Sequence, residues 1–300
     1  MSVRTEALRR MVADKEIVVA PGVFSPAVAK LAERVGFRAL YLSGAALSGL
    51  LALPDVGMTT LDEVARATYD ITSQVRLPLI VDADTGFGEA VNVARTVGML
   101  RTAGAAGLQI EDQVLPKKCG HLDGKQLVEA EEMVKKVASA KEAAEGQILV
   151  VARTDARSVE GMDAAIERAQ AYSRAGADVI FPEALESPSE FAEFRSKVKG
   201  PLMANMTEFG KTPYLSVDEF ERLGYNVVIF PVTAFRAMMK AAEATLYRLK
   251  REGTQKNMLD SLMTRKDFYD LIGYSQYESA DERAMKTAKR LTGSRTKRTG

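Results

Sequence analysis

Ile148-Leu149-Val150-Val151-Ala152 is followed by Arg153-Thr154-Asp155, a helical stretch over 163–174, the turn Ala175-Gly176-Ala177, and a second apolar run, Asp178-Val179-Ile180-Phe181. The run 148–152 is apolar at every position instead of alternating, as a strand covered on both faces must be. Residues 163–174 space their apolar side chains at helical intervals. A glycine at 176 suits the left-handed position that closes a helix. Strand, helix and strand in that order form a right-handed βαβ unit in a parallel sheet.

The same punctuation recurs outward in both directions. Apolar runs stand at 17–20, 39–42, 79–81, 107–110, 202–204 and 227–230, with helical patterns at 92–101, 130–144 and 217–222 among them. Gly36, Gly104 and Gly224 repeat the helix-closing role of Gly176. About eight strand–helix units in one chain predict an α/β fold of the (β/α)₈ TIM-barrel type. A doubly wound open sheet is the alternative, disfavoured because no GxGxxG follows the first strand. No Pro/Gly/Ser-rich linker divides the chain, so a single barrel domain is expected over 1–300. Helix continues past the eighth strand, over 234–249 and on to about 291, which predicts a C-terminal helical extension at 253–291 and a basic tail at 292–300. Lys286, Lys289, Arg290, Arg295, Lys297 and Arg298 make that end basic, and a solvated terminus is the expected reading.

Composition narrows the function classes. The 300 residues carry 41 basic and 40 acidic side chains, a formal net charge of +1, which argues against a nucleic-acid partner. One cysteine excludes an internal disulfide and a cysteine-rich zinc site, and one histidine excludes HExxH chemistry. Arg4, Glu6, Arg9 and Arg10, with no apolar core behind them, are not expected to open a secretory signal. The weakly polar stretch 42–53 is too short for a membrane span. A cytoplasmic protein with no membrane partner is expected.

A barrel places its chemistry at the C-terminal ends of the strands. Those positions hold Ser43-Gly44, Asp82 with Asp84, Glu111-Asp112, Arg153 with Asp155, Glu183, Asn205 with Thr207, and Arg236 just inside the last helix. Asp82 and Asp84, two residues apart, should share one face, and two carboxylates so close call for a cation between them. Oxygen ligands favour Mg²⁺ or Mn²⁺, with Glu111 and Asp112 expected in an outer shell. The alternative for Asp84 is a turn or helix-capping role. Lys117-Lys118-Cys119-Gly120-His121 lies in a long connection suited to a lid, where neighbouring positive charge should favour the Cys119 thiolate. Arg153, Arg236 and Arg265 are candidate carboxylate clamps. The methionines at 203, 206, 238 and 239 read as packing.

These motifs together resemble the isocitrate lyase and phosphoenolpyruvate mutase superfamily. The resemblance rests on Tyr41-Leu42-Ser43-Gly44, the run from Val81 to Gly88, Glu111-Asp112-Gln113, the run from Lys117 to Lys125, and Arg153-Thr154-Asp155-Ala156. It covers nearly the whole chain, and the Lys-Lys-Cys-Gly-His run is specific to the lyase branch. Two positions depart from the family pattern: Ala45, where relatives often have glycine, and Lys118, where those acting on 2-methylisocitrate often have arginine.

The resemblance implies Mg²⁺-dependent retro-aldol cleavage of a small tricarboxylate, 2-methylisocitrate, to pyruvate and succinate in propionate catabolism. The alternatives are isocitrate cleaved to glyoxylate and succinate, or a phosphonopyruvate- or oxaloacetate-cleaving activity. It also implies a homotetramer built from dimers that exchange the last barrel helix. By the same resemblance Asp82 and Asp84 hold the metal. Ser43, Gly44, Ala45, Gly120, Arg153, Glu183, Asn205, Thr207, Arg236 and Arg265 bind substrate. Cys119 is the implied proton donor. Tyr41 is the candidate base, with His121 and Glu111 tuning protonation.

Overall fold

The computed structural model describes residues 2–292. The chain runs α1 (Val3–Ala13), β1 (Val18–Val23), α2 (Pro26–Val35), β2 (Leu40–Leu42), α3 (Gly44–Leu50), α4 (Leu61–Thr72), β3 (Leu79–Asp82), α5 (Ala90–Thr102), β4 (Gly107–Glu111) and α6 (Ala130–Ala144). It continues through β5 (Leu149–Thr154), α7 (Met162–Arg174), β6 (Val179–Pro182), α8 (Pro188–Lys197), β7 (Met203–Asn205), α9 (Val217–Arg222), β8 (Val227–Phe230) and α10 (Thr233–Glu252). Two more helices follow, α11 (Arg265–Ile272) and α12 (Tyr274–Leu291).

All eight strands pair in parallel, in the order β6-β5-β4-β3-β2-β1-β8-β7. A single bridge, Ile180 to Leu202, joins the two ends and rounds the sheet into a barrel. The (β/α)₈ expectation holds, and every strand lies where an apolar run stood. The four helix-closing glycines behave as expected, with φ of 103° at Gly36, 92° at Gly104, 105° at Gly176 and 81° at Gly224. Gly22 has a different task. A Cβ there would lie 1.9 Å from the Pro231 carbonyl oxygen, so β1 and β8 converge where no side chain fits.

Strand alternation separates two cores. One set of side chains points to the barrel axis: Val18, Ala20, Tyr41, Ile80, Val151, Phe181, Met203, Val227 and Ile229. Leu8 and Val12 of α1 pack onto that axial cluster and stop its N-terminal end. Arg4 fixes α1 in place by donating to the Thr72 and Val75 carbonyls at 2.6 and 2.7 Å. The intervening residues, Val81, Leu108, Ile110, Val150 and Ala152 among them, face outward against Val93, Val97, Met133, Val137, Phe191 and Phe194 of the helices. Each such aliphatic or aromatic side chain buried contributes about 1.5–3 kcal/mol.

The chain divides into two compact units, residues 1–240 and 241–300. The division falls inside α10, earlier than the boundary at 253 expected for the helical extension. The second unit contains the remainder of α10, a short 3₁₀ turn (Lys256–Ser261), α11 and α12, with Tyr269 stacked on Tyr274 at 4.5 Å. No residue of α11 or α12 is buried. Of the basic tail, residues 293–300 lie outside the described residues. Among the described residues no helix is long and apolar enough to cross a membrane.

Candidate active site

The alternation that fills the axis also builds the site. Two residues beyond four of the axial apolar side chains, toward the C-terminal rim, comes a polar one: Asp82 after Ile80, Arg153 after Val151, Glu183 after Phe181, Asn205 after Met203. They open into one pocket together with Tyr41, Ser43, Ala45, Asp55, Lys117, Cys119, Gly120, His121, Thr207 and Arg236. Gly44, Asp84 and Glu111 lie directly behind that lining. A Cβ at Gly44 would stand 3.0 Å from Asp82 Oδ2 and 3.5 Å from Asp84 Oδ1, so both carboxylates reach the α3 N-terminus. Arg265 is exposed, opens α11 in the second unit, and is not among the pocket residues.

One side of the pocket gathers carboxylates, with Lys117 as the cation among them. Asp82 Oδ1 accepts from Gln109 Nε2 and from the Asp84 N–H, both at 3.2 Å, and its Oδ2 accepts from the Gly44 N–H at 3.3 Å. Asp84 has φ of 47°, a left-handed backbone just past β3, and the next helix begins only at Ala90, capped by Glu89. Its carboxylate is therefore not a helix cap. Lys117 Nζ stands 2.9 Å from Asp84 Oδ1 and also pairs with Asp55, yet Asp84 Oδ1 and both Glu111 oxygens are buried with no aligned donor. Burial, with the Asp82 charge adding and Lys117 opposing, pushes Asp84 up to about 6. Burial pushes Glu111 well above the usual carboxylate range. Among the described residues no three acidic, histidine or cysteine side chains are gathered closely enough to enclose an ion by themselves. The donor set fits a hard divalent cation held by one or two carboxylates, with water and ligand oxygens completing the shell.

Asp112 is a correction to the expected outer shell. Being one residue past Glu111 it points the other way, out of the barrel, where its Oδ2 accepts from Tyr172 OH at 2.8 Å and its Oδ1 from the Asp155 N–H at 2.9 Å. Burial and the Asp155 charge raise it to about 6.

The opposite side is a buried ion lattice centred on Arg153. Its Nε and one terminal nitrogen grip Asp155 at 3.0 Å each, another nitrogen lies 3.2 Å from Glu111, and Nε is 3.7 Å from Glu183. The guanidinium lies 5.5 Å over the Phe181 ring. Much of the fork expected to clamp substrate is thus already engaged. Burial would raise Glu183, but Arg153 and His121 outweigh it and hold the carboxyl at about 2. Arg236 donates to the Glu208 carbonyl at 2.5 Å and sits 5.2 Å over Phe209, keeping its end at the pocket rim.

The Cys119 loop folds over this lattice. A Cβ at Gly120 would fall 2.3 Å from Glu183 Cγ and 2.5 Å from an Arg153 nitrogen, so only glycine lets the loop descend so far. Lys125 ties it from below by donating to the Gly120 carbonyl and pairing with Asp155 at 3.0 Å. The lysines do not produce the expected thiolate. Lys117 is turned toward Asp55 and Asp84 and Lys118 toward the Asp123 carbonyl, while burial pushes the Cys119 thiol up and Glu183 adds to the rise. Cys119 keeps its proton near neutrality. Tyr41 does too: burial and the Asp82 charge raise its phenol well above the ordinary value, and the hydroxyl donates to Gln109 Oε1 at 2.6 Å. A phenol so placed keeps its proton, donates a hydrogen bond, and is poorly matched to removing a proton from substrate.

Three participants had not been singled out. Gln109, the lone polar residue within the β4 run, bridges Tyr41 to Asp82. Its position two before Glu111 was the available signal. Lys125 stood inside the quoted loop motif without a role. Asp55, on the loop before α4, carries no local sequence signal at all.

The family described as phosphoenolpyruvate phosphomutase matches residues 8–250. A 2-methylisocitrate lyase of Aeropyrum pernix is 61% identical over 284 residues, 95% of this chain and 92% of the relative. A 2,3-dimethylmalate lyase, described as a member of the PEP mutase/isocitrate lyase superfamily, superposes with a TM-score of 0.89 at 34% identity, over 95% of this chain and 96% of that one. A phosphonopyruvate hydrolase solved with oxalate and Mg²⁺ gives 0.87 at 31% identity, over 95% and 100%. With a family match over most of its length and relatives alike from end to end, the chain belongs to the phosphoenolpyruvate mutase and isocitrate lyase superfamily.

Proposed function

We infer that the protein is a lyase that cleaves 2-methylisocitrate to pyruvate and succinate. The observation that carries this is one pocket in which the Cys119 loop, lowered through Gly120 onto Glu183 and Arg153, shares the lining with the carboxylates of Asp82 and Asp55. Asp82 and Asp84 would hold Mg²⁺, with Mn²⁺ as a chemical equivalent, and Glu111 close behind. Bound there, the cation supplies Lewis-acid stabilisation of negative charge on substrate oxygen.

The remaining work falls to the chain's own residues. The substrate hydroxyl passes its proton to a carboxylate of the pocket lining, a role for which Asp55 is placed, and the carbon–carbon bond then breaks. Pyruvate leaves as the ketone, and the electron pair remains on the succinate fragment, delocalised into its carboxylate. The donors that can face this enediolate are the unengaged Arg153 N–H groups, Asn205, Thr207 and Arg236. Cys119 then delivers its proton to the carbanion carbon, and its raised pKa keeps that proton in place until it is needed. Tyr41 acts as a donor that positions Gln109 and Asp82. Phe181 and Ile229 give the pocket an apolar wall for the substrate methyl group.

The test is product analysis with Mg²⁺ and thiol reductant, on 2-methylisocitrate and isocitrate separately. Pyruvate from the first is expected, with much slower glyoxylate from the second, and both should stop on adding EDTA. Dominant glyoxylate would make isocitrate the substrate. Product unaffected by EDTA would overturn the metal assignment.

A homotetramer of helix-exchanged dimers belongs to the same proposal. Phe268, Tyr269, Tyr277, Met285 and Leu291 are exposed on α11 and α12, which bury nothing and so call for a partner surface. Arg265 would then serve a neighbouring copy. Sedimentation equilibrium at a single tetramer mass is expected, and a monomer at micromolar concentration would refute the assembly.

A further inference from the structure

The only histidine of the chain is held from a direction the reaction does not require. His121 Nδ1 accepts the Lys211 backbone N–H at 3.0 Å. A backbone N–H only donates, so that ring nitrogen is bare, and the proton of a neutral imidazole sits on Nε2. Nε2 lies 2.9 Å from Glu183 Oε1, an acceptor held ionised, and 3.4 Å from Asn205 Nδ2, which donates instead to the two Glu183 oxygens at 3.1 and 3.2 Å. The opposite tautomer would set two donors against each other at Lys211 and a lone pair against the carboxylate at Glu183. Gly210, the preceding residue, lies flat beneath the ring: a Cβ there would be 2.6 Å from Nδ1 and 2.9 Å from Cε1 and Cγ. Two residues past His121, Asp123 pairs with Lys211 Nζ at 2.5 Å.

We propose that Gly210 and Lys211, on the connection between β7 and α9, are a positioning pair that fixes His121 as its Nε2–H tautomer and so seats the Cys119 loop on Glu183. The pair touches no reacting atom. It acts through the imidazole, whose N–H completes the set of donors, with Arg153 and Asn205, that keeps Glu183 in place below Gly120. The backbone of Lys211 supplies the hydrogen bond, and the missing side chain of Gly210 supplies the space.

A single histidine makes the test direct. Tag-free protein labelled with ¹⁵N at histidine alone should give, near neutral pH in a solid-state spectrum, one bare and one protonated ring nitrogen, with the bare one correlated to Nδ1. An Nδ1–H tautomer or an imidazolium would overturn the proposal without any variant having to fold. Gly210→Ala should then show mixed tautomers and a fall in kcat of about tenfold to a hundredfold, the scale of an ångström of misplacement, with KM changed far less. A variant keeping both the wild-type spectrum and kcat would also sink it. The kinetic arm rests on the lyase reading and the spectrum does not. Inactive wild-type protein with the expected tautomer would therefore count against the substrate, and leave the positioning pair standing.

Discussion

Arg153→Leu is expected to destabilise the fold by about 3–5 kcal/mol and to abolish cleavage, because it strips the shared cation from a buried group of carboxylates. Asp155 would keep Lys125 at 3.0 Å, and Glu183 would keep His121 and Asn205. Glu111 has no aligned donor even in the intact protein, and it would lose the cation that stands 3.2 Å away. The sign of the pH dependence follows from Glu183. Its depressed pKa of about 2, against an ordinary 4.5, contributes stability that is present above the unfolded value and lost as pH falls through the folded one. Without Arg153 that contribution shrinks and the ionised acids become a burden relieved by protonation. The deficit against wild type should therefore be smaller near pH 5 than near pH 7. Urea denaturation at both values measures it. Equal stability of the two proteins at neutral pH would show that water enters and solvates the lattice.

Cys119→Ser removes one proton source and little else. The side chain is half-buried and its replacement is smaller, so circular dichroism and melting temperature should match wild type. Cleavage should fall by about a thousandfold or more, within the range that general-acid catalysis supplies, because a serine hydroxyl holds its proton far more tightly than even a raised thiol. Turnover within a factor of a few of wild type would remove Cys119 from the proton step.

The fold was legible because of what parallel barrel strands must be. Each is covered on both faces, so 148–152 and its seven counterparts read as nearly all-apolar runs, and glycines such as Gly176 mark the helix ends. Helix α1 escaped notice, since its one apolar stripe is narrow and its surface is charged. At the site, residue types at strand ends could be read, but facing could not be assigned beyond doubt at the ends themselves. Glu111 and Asp112 are neighbours that part to opposite sides of the wall, and an acid pair gives no clue which turns inward until the pairing register is known. Protonation was the least legible property. Two lysines beside Cys119 in sequence turn away from it in space, so burial sets its state. Lys117 instead meets Asp55, a contact 62 residues distant in the chain that no local pattern encodes.

The stopper formed by Leu8 and Val12 leaves the barrel with a single doorway. Nothing passes through the axis, so substrate, both products and displaced water share the mouth beneath the loop that carries Cys119. Two product molecules must file out where one substrate came in, past the loop that Gly120 lowers onto Glu183 and Arg153. The residue proposed to deliver the proton thus stands beside the one route by which substrate enters and products leave.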